Sequence, residues 1–70
     1  MTTRQKIIIA CDKAGLTITE LAKRMGMSQQ TLSSRLKTGK FTQEELEEMA
    51  KILGCKYQSA FLFLDGEIIQ

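Results

Sequence analysis

Gln29 and Gln30 stand side by side in the stretch SQQTLSSRLK, residues 28–37, and Ser33 and Ser34 follow one helical turn later. A side-chain amide carries a donor and an acceptor on one planar group, so it can pair bidentately with a surface offering the reverse, such as the N6 and N7 edge of adenine. The short hydroxyls of Ser28, Thr31, Ser33 and Ser34 donate and accept while allowing close approach. Arg35, Lys37 and Lys40 place cations at the end of the same stretch, where anionic oxygens would suit them. On an isolated helix such a set is ordinary solvated surface. Its meaning depends on what holds it.

Other chemistries find little support. General acid–base work near neutrality most often uses histidine, and the chain has none. Glu44, Glu45, Glu47 and Glu48 crowd one segment without a facing base, and there is no glycine-rich phosphate loop, so an enzyme is not expected. Cys11 and Cys55 sit in apolar surroundings and form no C-x-x-C pair, which reads as two reduced, buried thiols. No metal and no cofactor is implied. The apolar run near the N-terminus is too short for a signal peptide, with Asp12 and Lys13 following at once. Nothing approaches the ~20 apolar residues of a membrane span. The expected location is cytoplasmic.

Seventy residues permit one small domain. Glycines at 15, 26, 39, 54 and 66 punctuate it. The first four close four blocks of helical periodicity, 3–14, 18–25, 29–37 and 43–53. Thr17 with Glu20 and Thr42 with Glu45 are capping boxes, and Ser28 can cap the third block. Ile7, Cys11 and Ala14 form the apolar stripe of the first block. Leu21, Ala22 and Met25 form that of the second, and Leu46, Met49, Ala50 and Leu53 that of the fourth. The third block has only Leu32 and Leu36. A helix with so little to bury invites a functional explanation. After residue 56 the period changes. Asp65-Gly66 between apolar runs predicts a hairpin, with strands at about 57–63 and 67–70.

Charge is uneven along the chain. Residues 17–40 hold Lys23, Arg24, Arg35, Lys37 and Lys40 against Glu20 alone, whereas the segment that follows is acidic. One face is thus suited to a polyanion and another is turned from it. In the junction TITELAKRMGMSQQTLSSRLKTG, Gly26 allows a sharp turn, Met25 and Met27 can fill the crease, and Ala22 lets two helices approach. From about Ile7 to Leu53 the chain resembles the Cro and lambda-repressor type of helix-turn-helix protein, the XRE family. Gly15-Leu16-Thr17, Leu21-Ala22, Met25-Gly26-Met27-Ser28 and Thr31-Leu32-Ser33 carry the likeness, together with Leu46 through Leu53. In many relatives the second apolar anchor of the third helix comes three residues after the first. Here Leu36 comes four after Leu32 and Arg35 takes the intervening place. This leaves open which of Ser33, Ser34 and Lys37 points outward.

The resemblance implies a mainly α fold, a four-helix lambda-repressor-like domain, with residues 29–37 entering the major groove of double-stranded DNA. Base contacts are then expected from Ser28, Gln29, Gln30, Ser33 and Ser34. Phosphate contacts are expected from Thr17, Thr19, Thr31, Arg35, Lys37 and Lys40. The domain is expected over 1–55 and the C-terminal β-hairpin over 56–70.

Both faces of that hairpin are apolar, and a lone ribbon is marginal in water. The expectation is a homodimer meeting through Tyr57, Phe61, Phe63, Ile68 and Ile69, placing two reading helices about 34 Å apart. The expected role is a transcriptional repressor that occupies its site, since no effector domain is evident. The rival reading is a protein-interaction module, an antitoxin or adaptor, holding its partner by the acidic helix or the hairpin.

Overall fold

Four hydroxyls open the four helices. Thr2, Thr17, Ser28 and Thr42 each take an extended backbone and accept a hydrogen bond from the backbone N–H three residues on, as N-caps do. At Thr2, Thr17 and Thr42 the side chain of Gln5, Glu20 or Glu45 returns the bond, completing three capping boxes. The helices are α1 (Thr3–Ala14), α2 (Ile18–Arg24), α3 (Gln29–Thr38) and α4 (Gln43–Leu53). They match the expected blocks to within a residue at each end. The structure is a computed structural model that describes residues 2–58 and 60–69.

One core joins all the elements. Ile7, Ala10 and Cys11 of α1, Leu21 and Ala22 of α2, and Leu32 and Leu36 of α3 meet the stripe Leu46, Met49, Ala50 and Leu53 of α4. Phe61 and Ile69 of the C-terminal sheet join the same cluster, so the sheet is continuous with the helical core. Ile8 and Ile9 do not widen that core and remain 37% and 41% exposed. Burial pushes the thiol of Cys11 up to about 11, and that of half-buried Cys55 also upward, so both stay protonated near neutrality.

The C-terminal segment differs from the expected two-stranded ribbon. It is a three-stranded antiparallel sheet in the order β1-β2-β3, with β1 Cys55–Tyr57, β2 Phe61–Phe63 and β3 Ile68–Ile69. The expected strand 57–63 is split by a chain reversal, closed by a bond from the Gln58 N–H to the Ala60 carbonyl at 3.0 Å. Ser59 and Gln70, which the expected strands included, lie outside the described residues. Folding back makes β2 the central strand, pairs Tyr57 with Phe61 and Phe61 with Ile69, and sets the Tyr57 and Phe61 rings edge to face at 4.9 Å. Phe61 thereby becomes fully buried. The predicted hairpin at Asp65-Gly66 joins β2 to β3. Lys13 of α1 fastens it through Asp65 at 2.8 Å and Glu67 at 2.7 Å, with its ammonium over the Phe63 ring.

Candidate nucleic-acid interface

The turn between α2 and α3 is built by backbone bonds. Gly26 adopts φ +78°, which a Cβ would disfavour, and this lets the chain reverse. The N–H of Gly26 reaches the Lys23 carbonyl at 3.1 Å, and that of Met27 reaches Ala22 at 3.0 Å. That pair of bonds closes α2 in a Schellman arrangement. Met25 and Met27 pack half-buried against the core on either side, and Ala22 is fully buried. Ser28 then starts α3. Its hydroxyl accepts from the Thr31 N–H at 3.1 Å and donates to the Thr31 hydroxyl at 2.8 Å.

Helix α3 rests on Leu32 and Leu36 alone, both buried. Gln29, Gln30, Thr31, Ser34, Lys37 and Thr38 are exposed, and Ser33 is half-buried. Gln29, Ser33 and Lys37 recur every four residues and line one cleft along the helix, floored by Ile8, Ile18 and Leu36. Gln30 and Ser34 form the parallel row beside them. The four-residue spacing of the leucines therefore turns Ser34 and Lys37 outward and tucks Ser33 toward α1. Thr19 is exposed in the first turn of α2. Thr17 is also exposed, but its hydroxyl is engaged with the backbone and carboxylate of Glu20.

Arg35, expected at a phosphate, is paired with an acid inside the fold. Its guanidinium makes a bidentate pair with Glu45 of α4, NH2 meeting Oε1 at 2.7 Å and NH1 meeting Oε2. It also lies over the Phe41 ring at 4.8 Å and donates to the Lys40 carbonyl. Arg35 and the capping interactions of Thr42 hold the Glu45 carboxyl down at about 2. The apolar position missing from α3 is thus filled by a cation whose charge is met within the fold, and Glu45 is not free surface. Lys37 and Lys40 are exposed, and neither has a carboxylate within ion-pairing distance among the described residues.

The residues expected to meet a second chain separate into two groups. Phe61 and Ile69 are taken up by the chain's own core, at 0% and 4% exposure. Tyr57 and Phe63 are half-buried and Ile68 is 54% exposed; Leu64, which was not among the expected contacts, is 92% exposed. Among the described residues no group of histidine, cysteine and carboxylate side chains is placed to hold a metal ion. Among the described residues no helix is long and apolar enough to cross a membrane.

A capped two-turn helix, a glycine turn and a polar helix on a sparse leucine footing, packed within a four-helix core, define a helix-turn-helix protein. The helix-turn-helix family model matches residues 7–58, and the chain belongs to that family, of the Cro and lambda-repressor (XRE) type. Its members are DNA-binding regulators, and the chain is a helix-turn-helix DNA-binding protein in this sense. No curated protein and no solved structure matches it significantly.

Proposed function

We propose that the chain is a sequence-specific regulator of transcription, a repressor that binds double-stranded DNA as a homodimer. The observation that carries this reading is α3 itself. It has two buried leucines, and an exposed surface of glutamines, serines, threonines and lysine on a family scaffold whose corresponding helix enters the major groove. Gln29 and Gln30 read bases through their amides, with Ser28, Ser33 and Ser34 fitting the helix against the groove floor. Lys37, Lys40, Thr19 and Thr31 hold the flanking backbone. Occupying the site blocks polymerase.

The dimer rests on exposed apolar surface at Ile68 and Leu64, with Ile9 of α1 also exposed, beside a sheet in which β3 is an outer strand. Selection from random duplexes with the purified protein tests the whole reading. Enrichment of a palindrome with half-sites one helical turn apart is expected. Enrichment of a single unrepeated site would contradict the dimer, and no enrichment at all would contradict sequence-specific binding.

A further inference from the structure

We propose that the DNA interface extends onto α1, where Arg4, together with Lys37 of α3, grips a backbone phosphate beside the base read by Gln29. This rests on the DNA-binding reading and adds a residue from outside the helix-turn-helix segment. The Thr2–Gln5 capping box fixes the first turn of α1, and Thr3 lies against Gly39 at the end of α3, so the start of one helix abuts the end of the other. Arg4 and Lys37 consequently line two adjoining clefts together. One is shared with Gln29 and Ser33, the other with Thr3 and Thr38.

Both side chains are exposed, and neither meets a carboxylate among the described residues. Arg35 and Lys13, by contrast, are paired with acids. Two unneutralised cations from separate helices therefore share one surface, on the flank of the polar face of α3. Like charges so placed repel until an anion lies between them. A guanidinium beside an ammonium suits the oxygens of a phosphodiester, the guanidinium bidentately. The cleft floor of Ile8, Ile18 and Leu36 offers no competing anion.

The test is duplex affinity against salt for the full chain and for Arg4→Gln, Arg4→Lys and Lys51→Gln. Lys51 lines a different cleft, between α4 and β1. Arg4→Gln is expected to weaken binding about three- to tenfold, equally on the selected and on random duplexes, and to lower the log–log salt slope by about 1. Arg4→Lys is expected to keep the slope, and Lys51→Gln to keep both quantities. Full binding with an unchanged slope in Arg4→Gln would overturn the inference while leaving the DNA reading intact. A loss confined to the selected sequence would also overturn it, by making Arg4 a base contact. If the unaltered chain binds no duplex, the functional reading itself falls.

Discussion

The Arg35 guanidinium of α3 meets the Glu45 carboxylate of α4 through both of its terminal nitrogens, and Glu45 at the same time closes the N-terminal capping box of its own helix. A single carboxylate thus starts α4 and ties it to α3. Replacing Arg35 by Met removes a bidentate, partly buried pair and leaves Glu45 without its cation. The expected loss is about 1–2 kcal/mol of folding stability, read as a lower urea midpoint at unchanged slope. Duplex affinity of the folded variant is expected to stay within about twofold, because Arg35 faces α4 and not the reading surface. A large affinity loss at unchanged stability would return Arg35 to phosphate binding.

The same pair makes stability depend on acid. The folded protein holds the Glu45 carboxyl at about 2, against an ordinary value of 4.5, so the unfolded chain takes up that proton more readily. The contribution is complete above the ordinary value and is lost as pH falls through about 2. Urea midpoints measured from pH 6 downward should decline most steeply over that interval. Glu45→Gln, which preserves the capping geometry, should flatten the decline.

Gly26 supports a third expectation. A Cβ there would meet nothing within 4 Å, so the cost of a side chain is the backbone conformation at φ +78° and not a clash. Gly26→Ala should destabilise by about 1–2 kcal/mol, and Gly26→Asn by less, since asparagine tolerates the left-handed region. Thermal unfolding of the two variants measures the difference. Equal losses would mean that space, and not backbone conformation, limits the position.

Phe61 and Ile68 lie on one sheet but should respond oppositely. Phe61 is fully buried on the central strand, and Phe61→Ala should cost about 3–5 kcal/mol, enough to unfold a domain of this size. Ile68 is 54% exposed on the outer strand, and Ile68→Asp should leave the helical content intact while shifting the proposed dimer toward monomer in sedimentation equilibrium. A variant that stays dimeric would move the interface elsewhere.

What could be read from residue order follows from range. The four helices were legible because their signals are local. Thr17 with Glu20, Ser28, and Thr42 with Glu45 mark starts within a single turn, and Gly15 and Gly54 mark ends. The polar face of α3 was legible for the same reason, since Leu32 and Leu36 are the only apolar residues of that helix. The sheet was legible only in part. The Asp65-Gly66 turn announces itself, but the reversal after Tyr57 contains no glycine, proline or asparagine, and β1 sits where the chain still read as the exit from α4. The pairing of Arg35 was not legible, because its partner is ten residues away on another helix. No local pattern reports how α3 and α4 dock. The place of Arg4 is hidden in the sequence for the same reason, since the packing of α1 against α3 brings it beside Lys37.

The most direct test replaces Gln29 and Gln30 together by alanine. Both side chains are exposed, so circular dichroism and thermal unfolding should be unchanged. Binding to the selected duplex is then compared with binding to random duplex across salt. Each bidentate amide contact accounts for about 1–3 kcal/mol of base discrimination, so the preference for the selected sequence should fall at least about tenfold. Affinity for random duplex and its salt slope should stay as they were. A folded double variant that still selects the same sequence with the same preference would contradict the assignment of α3 as the element that reads DNA.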